Sequence, residues 1–346
     1  MISLNLEQEP DDRTEQRGSM PVIAYCIRKV RSGAGRERSL DVFAAERGYQ
    51  LNHVLARPWR PEDGEVLFIN CSANWYPEAI KSVAKLPKAE RPFVALLQSE
   101  PLPPPRSSGY RWPPLKLREI TKILLRDIRV TDVYSNYFAI RRLHRQGVLD
   151  LVVTSTRGRA DFLKEKGIEA EYIPMGWRPD HGRDLGLKRD IDVLFLGEYR
   201  MLRRWWAVQK LRLAGIDVMM CGQWGNPKYF YENRVKLINR SKIFLNIPRF
   251  AGEFAGLRFI IGLVNKALIV SEPLYNSYPF VAGEHYVSAT RREMPDVIRY
   301  YLSHEDEREE IAERGRQLVL KRLRYDDCME KFFNLIRQRV HEERGV

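Results

Sequence analysis

IDVLFLG, residues 191–197, is a short apolar run that ends in glycine, and it opens a series of similar runs. The other runs of the series are IDVMMCG (216–222), KIFLNIP (242–248) and KALIVSE (266–272). Stretches with a helical spacing of apolar residues separate them, at 201–214, 228–240 and 257–265. Strands that alternate with helices predict a parallel sheet joined by right-handed crossovers.

The half of the chain before this series shows the same alternation. Its strand candidates are PVIAYCI (21–27), LNHVLA (51–56), EVLFINC (65–71), FVALLQ (93–98), TDVYSN (131–136) and DLVVTS (150–155). The two halves together predict an α/β protein with two Rossmann-like, doubly wound domains. Ligands of such proteins bind beyond the carboxyl ends of the strands and in the cleft between the domains.

Changes in composition divide the 346 residues into five parts. The first 18 residues carry five acids and two arginines without apolar periodicity, which predicts an acidic tail over 1–19. A polar stretch with proline and glycine predicts a linker near 176–190. The other predicted parts are a first domain at 20–175, a second at 191–325 and a last helical segment at 326–346.

Charge and cysteine content narrow the class of protein. A formal net charge of +13 fits a partner rich in phosphate, but it does not separate nucleic acid, membrane surface and nucleotide. The four cysteines stand far apart and form neither a metal-ligand motif nor a disulfide framework, which favours a reducing cytoplasm. No apolar run reaches the ~18 residues of a membrane span, and no secretory signal is expected at the N-terminus.

Four segments between residues 149 and 320 carry a family resemblance through their order and spacing. They are LDLVVTSTRGRADFLKEKG (149–167), DIDVLFLGEYRMLRRWW (190–206), SKIFLNIPRFAGEFAGLRFI (241–260) and YYLSHEDEREEIAERGRQLVL (300–320). Over about 149–325 the chain resembles the CgeB-like glycosyltransferases, named for a spore maturation protein, of the GT-B group. The resemblance implies a donor that is a nucleotide-diphosphate sugar, with a UDP-sugar expected, and a last helix that returns to the first domain.

Glycosyl transfer from such a donor releases a nucleoside diphosphate, whose charge must be neutralised. Without a metal, cations, backbone N–H groups and helix N-termini have to do this. Two strand-end segments combine glycines, which allow close approach of the backbone, with arginines. The candidate nucleotide-sugar residues there are Gly197, Arg200, Arg204, Glu253, Gly256, Leu257 and Arg258. The alternative interpretation is that Arg200 and Arg204 lie on a solvated helix face and that Gly256 belongs to a plain turn.

The resemblance also implies a role for Glu253. Related retaining GT-B enzymes have two glutamates separated by seven residues, of which the first faces the sugar and the second holds the ribose. Glu253 matches the first position, but the second falls on Ile261, which cannot accept a hydrogen bond from a hydroxyl. Glu272, at the end of KALIVSE, is a hypothetical substitute, and a surface acid is the alternative.

Further candidates follow other strands. Trp224 follows IDVMMCG and could bound the nucleobase, with Gly222, the last residue of that run, as a backbone partner; a core aromatic is the alternative for Trp224. On the acceptor side, Gly33 lies in a glycine-bearing turn, and Gln98 ends an apolar strand. Glu100 follows Gln98 and could act as a catalytic base or bind an acceptor hydroxyl, unless it is a salt-bridged loop carboxylate.

The leading hypothesis is therefore a metal-independent GT-B glycosyltransferase without a resident cofactor. No histidine or aspartate cluster has the spacing of a metal site, and there is no Asp-x-Asp motif. One alternative is a glycosyltransferase that acts on modified bases of DNA, which the arginine excess could guide. The other is a catalytically degenerate nucleotide- or sugar-binding protein, which Ile261 would explain. The acceptor, the donor sugar, the anomeric outcome and the oligomeric state stay open.

Overall fold

A computed structural model describes residues 21–27, 34–115, 117, 120–121, 133–198, 201–222, 229 and 231–344. The predicted acidic tail lies outside the described residues. The first unit contains the strands β1 (Ile23–Ile27), β2 (Leu51–Leu55), β3 (Val66–Cys71), β4 (Phe93–Gln98), β5 (Leu151–Thr154) and β6 (Glu171–Tyr172). Its helices are α1 (Ala34–Glu46), α2 (Pro77–Ala84), α3 (Val133–Arg145) and α4 (Arg157–Lys164).

The second unit begins at the apolar run of residues 191–197. Its strands are β7 (Ile191–Leu196), β8 (Val218–Cys221), β9 (Ser241–Asn246), β10 (Leu268–Ser271) and β11 (Val287–Ser288). The helices that follow are α5 (Leu202–Leu213), α6 (Tyr231–Asn239), α7 (Gly256–Val264), α8 (Met294–Ser303), α9 (Glu305–Arg322) and α10 (Tyr325–Arg344). None of the helices that the structure describes combines the length and the apolar character needed to cross a membrane.

Both sheets are parallel and are covered by helices, which confirms the predicted fold class. The first sheet has the strand order β2-β1-β3-β4-β5-β6, and the second has the order β11-β10-β9-β7-β8. Strands β4, β5, β7 and β9 are buried on both faces, as their nearly continuous apolar sequences require. In each sheet the carboxyl ends of neighbouring strands therefore meet at one edge.

The last helix returns to the first sheet, as the sequence predicted. Helix α10 belongs to the second half of the chain, yet its aromatic residues enter the core of the first unit. The ring of Phe332 lies 4.7 Å from that of Phe68 in β3, and Phe333 lies 4.6 Å from Tyr49. Burial of these large rings ties the second half of the chain to the first.

One predicted strand is wrong. TDVYSN (131–136) was predicted to be a strand, but Val133 begins helix α3, and residues 131–132 lie outside the described part. The buried positions Tyr137, Ile140 and Leu143 follow at spacings of three and four residues. A window of six residues is too short to show this helical period, and its valine and tyrosine favour a strand.

Removal of an aromatic ring from α10 tests this return crossing. Phe333→Ala is expected to lower the free energy of unfolding by about 3–5 kcal/mol, because a fully buried phenyl ring would leave a cavity. Urea denaturation measures the change, and Lys331→Ala, an exposed position of the same helix, is the control. Equal stability of the two variants would contradict the packing of α10 on the first sheet.

Candidate functional site

Two glycines meet where β7 and β8 end. The N–H group of Gly197 donates to the carbonyl of Cys221 at 2.8 Å. Gly222 has a φ of +113°, and a Cβ on it would lie 2.6 Å from the nitrogen of Gly197. Neither the conformation nor the space allows a side chain at Gly222. The two predicted residues therefore form one closely packed backbone surface at this edge of the second sheet.

Arg258 lies in the first turn of α7 and joins two strand ends. Its Nη1 donates to the carbonyl of Leu196 in β7, and its Nη2 donates to the carbonyl of Leu245 in β9 at 2.7 Å. The guanidinium carbon lies 4.7 Å from the ring centre of Phe244 and 5.3 Å from that of Phe195. Burial lowers the pKa of Arg258 to about 9, and the charge of Arg204 adds to this effect.

Arg204, in the first turn of α5, is the second cation at this place. Its Nε donates to the carbonyl of Ile247 at 2.9 Å, and burial lowers its pKa to about 10. The Nη1 atoms of Arg258 and Arg204 lie 3.4 and 3.8 Å from the point where a Cβ of Gly197 would stand. No described carboxylate forms an ion pair with either guanidinium. Two neighbouring buried cations repel each other, and this repulsion lowers the stability of the folded protein. An anion bound between them would offset the repulsion.

Glu253 is a buried carboxylate that faces this cationic pair. Its Oε2 accepts a hydrogen bond from the backbone N–H of Arg249 at 2.8 Å, and its charge opposes the lowering of the pKa values of Arg204 and Arg258. Gly256 begins helix α7 two residues after Phe254, and Leu257 is the second residue of that helix. The first N–H groups of a helix have no intrahelical acceptor, so this turn offers donors to an anion.

Ile261 and Glu272, the two positions considered for a contact with the ribose, have different environments. Ile261 is buried in an apolar cluster with Phe254 and Leu194, so its side chain serves packing. Glu272 is also buried, but its Oε2 pairs with Arg203 and its Oε1 accepts a hydrogen bond from Nε of Arg291 at 2.6 Å. Both carboxylate oxygens are thus engaged by arginines of the protein. The ribose role of Glu272 stays a prediction.

Arg159 is a residue that sequence reasoning missed. It lies in the first turn of α4, is buried, and donates from Nη1 to Oγ of Ser155 at 2.6 Å. Burial lowers its pKa, and the charges of Glu253 and Glu100, in that order, oppose the change. The two carboxylates predicted to be catalytic, one from each unit, therefore lie close enough to act electrostatically on the same arginine. The only sequence signal for Arg159 is its place one turn after the end of β5.

The remaining acceptor-side candidates are only partly described. Gln98 is fully buried, and its Nε2 donates to the carbonyl of Glu100 at 3.0 Å, so in this conformation it holds the loop that carries Glu100. Gly33, Arg200 and Trp224 lie outside the described residues. Within the described part of the chain, no group of three or more histidine, cysteine, aspartate or glutamate side chains is arranged to hold a metal ion.

Direct contacts join the two units around this site. Asp161 of α4 accepts hydrogen bonds from the hydroxyl of Tyr275 and the side-chain amide of Asn276, each at 3.2 Å. The guanidinium of Arg157 lies 3.4 Å from the ring centre of Tyr278. A Cβ on Gly252 would come within 2.5 Å of the ring of Tyr110. The residue that precedes Glu253 thus packs directly against the first unit.

Comparison with protein families gives a match in the second unit. Residues 200–334 match the model of a family described as "Glycosyl transferase-like". This range covers the cationic pair, Glu253 and helix α7. No curated protein sequence matches the chain.

Solved structures match over most of the chain. Anabaena Alr3699/HepE in complex with UDP-glucose matches with a TM-score of 0.62 and 10% identity, over 92% of this chain and 100% of that one. WaaG, a glycosyltransferase involved in lipopolysaccharide biosynthesis, matches with a TM-score of 0.55 and 14% identity, over 91% and 99% of the two chains. TarM matches with a TM-score of 0.55 and 10% identity over 78% of this chain, which spans about half of TarM, at 54%.

The structural matches establish the fold. The fold is that of the GT-B glycosyltransferases, so the predicted architecture is confirmed. They do not favour the DNA-modifying or the degenerate alternative. The CgeB-like subtype and the roles of the individual site residues stay predictions.

Substitution of Gly252 tests the contact between the units. Gly252→Ala is expected to destabilise the protein more than Gly283→Ala. A Cβ at Gly252 would clash with the ring of Tyr110, whereas a Cβ at Gly283 would meet no atom within 4 Å. Both glycines have a positive φ, of +78° and +84°, so backbone strain of about 1–2 kcal/mol applies to each. Urea or thermal unfolding measures the difference, and equal losses would contradict the packing of Tyr110 on Gly252.

Proposed function

We propose that this protein is a glycosyltransferase that moves a sugar from a UDP-sugar to an acceptor bound at the first unit. The observation that carries the proposal is the pair Arg204 and Arg258, which lie beside Gly197 at the strand ends of a GT-B fold and form no ion pair with a described carboxylate. Buried cations of this kind fit an anion of high charge. HepE, whose fold this chain shares, is described in complex with UDP-glucose, which supports a uridine donor.

In this proposal the cationic pair binds the diphosphate of the donor. The N–H groups of Gly256 and Leu257 at the start of α7 add donors, and the backbone at Gly197 and Gly222 allows close approach. Negative charge on the leaving diphosphate grows as the glycosidic bond breaks. Fixed donors and cations therefore stabilise the transition state more than the ground state.

Glu253 and Glu100 have different roles in this proposal, one toward the sugar and one toward the acceptor. Glu253, beside the diphosphate cations, faces the sugar, where it orients hydroxyl groups and balances positive charge on the ring. Glu100 belongs to the first unit and would act as a base or bind the acceptor hydroxyl. Arg159 interacts electrostatically with both carboxylates, so we assign it as a positioning residue.

Three finer assignments belong to the same proposal. We propose the CgeB-like subtype on the four segments that carry the resemblance. We propose that catalysis is independent of metal, because arginines and helix donors already surround the diphosphate position. We propose a cytoplasmic location, because all four cysteines are free.

A panel of donors tests the proposed function. Isothermal titration calorimetry with UDP-, GDP- and dTDP-sugars is expected to show binding of the UDP-sugars, with affinity that falls as salt is added. Arg204→Met is expected to weaken this binding about 10- to 100-fold, because it removes charged hydrogen bonds. Lys210→Met, an exposed cation of the same helix, is the matched control. Binding of no nucleotide sugar by the folded protein would contradict the proposal.

Glu253→Gln separates binding from chemistry. The variant is expected to bind UDP nearly as well as the unchanged protein, because Glu253 faces the sugar and not the nucleotide. Cleavage of the UDP-sugar, followed as release of UDP, is expected to fall by about 100-fold or more. Equal cleavage by both proteins would contradict the role of Glu253, and absence of any cleavage with any donor would favour the degenerate alternative.

Chelation tests the independence from metal. An excess of EDTA is expected to leave the rate of UDP release unchanged, because the charge of the leaving group is neutralised by arginines and backbone donors. A rate that falls with EDTA and returns with added magnesium or manganese would contradict this assignment.

A further inference from the structure

Helix α5 has two faces with different environments. Its inner face buries Ala207, Val208 and Leu211 in the core of the second unit, and its first turn carries Arg204 to the candidate site. Its outer face presents large apolar side chains to solvent. Leu202 is 73% exposed, Trp205 39%, Trp206 55% and Leu213 87%. We call these four residues the outer stripe.

The members of the outer stripe align along the helix, with Gln209 between Trp206 and Leu213. At 3.6 residues per turn its four members fall within about 100° of the helix circumference. The rings of Trp205 and Trp206 contact each other at a centroid distance of 4.8 Å, in an edge arrangement. Scattered apolar residues are common on protein surfaces, but an aligned stripe with two tryptophans indicates a surface that binds a partner.

Cations border the outer stripe on both sides. Lys210 and Arg212 are exposed and fall on opposite flanks of it, and helix α5 contains no aspartate or glutamate. The acids nearest in the chain, Glu198 and Asp217, lie beyond the two ends of the helix. Tryptophan and leucine on one face with lysine and arginine beside them is the composition of a helix that lies in a membrane interface.

We propose that the outer stripe of α5 docks the protein on an anionic lipid bilayer, with Leu202, Trp205, Trp206 and Leu213 entering the headgroup region. The tryptophan rings have the amphipathic character that this region favours, and Lys210 and Arg212 pair with lipid phosphates. A second copy of the chain fits less well, because a two-fold contact through the stripe would bring its flanking cations close to one another. Docking would hold the opposite face of α5, and with it Arg204, beside the bilayer.

Co-sedimentation with vesicles tests the docking surface independently of any enzymatic activity. The full chain is expected to sediment with vesicles of phosphatidylcholine and phosphatidylglycerol, and much less with phosphatidylcholine alone. The double variant Leu202→Ser/Trp206→Ser is expected to lose about tenfold in partitioning, with little change in thermal midpoint because both side chains are largely exposed. Val281→Ser, at an exposed apolar residue outside α5, is the matched control and is expected to bind as the unchanged protein does.

A charge variant and the oligomeric state complete the test. Lys210→Glu is expected to weaken binding to the anionic vesicles severalfold and to reduce its dependence on salt. Absence of vesicle binding by the unchanged protein, or equal binding by the double variant, would overturn the proposal. Light scattering that shows a dimer for the unchanged protein and a monomer for the double variant would overturn it in favour of a second copy. Titration of the same variants with a UDP-sugar measures donor binding on its own, so the docking proposal and the proposed function can fail independently.

Discussion

The site depends on the buried guanidinium of Arg258. It donates to carbonyl groups at the ends of β7 and β9 and lies against the rings of Phe195 and Phe244, so it fixes two strand ends and the start of α7 together. The same burial that fixes it lowers its pKa, which means that the folded protein holds a charge at a cost in free energy. An anion bound beside Arg204 and Arg258 would offset that cost.

The first unit contributes further residues to the candidate site. Arg159 is coupled to Glu253 of the second unit and to Glu100 of its own, and Tyr110 packs on the residue before Glu253. The positions of the carboxylates therefore depend on how the two units meet. Because helix α10 starts in the second half and packs on the first sheet, the chain itself maintains that arrangement.

The sequence predicted the parts of the molecule that follow from local pattern. Short apolar runs located most strands of both sheets but not β11. Glycine and arginine in the segments after strands selected Gly197 and Arg258, and the family resemblance selected Glu253. The sequence could not predict the role of Arg159, because the interaction of this arginine with Glu253 arises only when the two units come together. TDVYSN was predicted wrongly for a related reason, since the helical period of α3 appears only with Ile140 and Leu143 included.

A structure of the protein with bound UDP tests the central claim most directly. The account predicts diphosphate oxygens within hydrogen-bond distance of the guanidinium of Arg204 and of the N–H groups of Gly256 and Leu257, with Glu253 beside the position of the sugar. A nucleotide whose diphosphate lies away from Arg204 and from the start of α7 would contradict it.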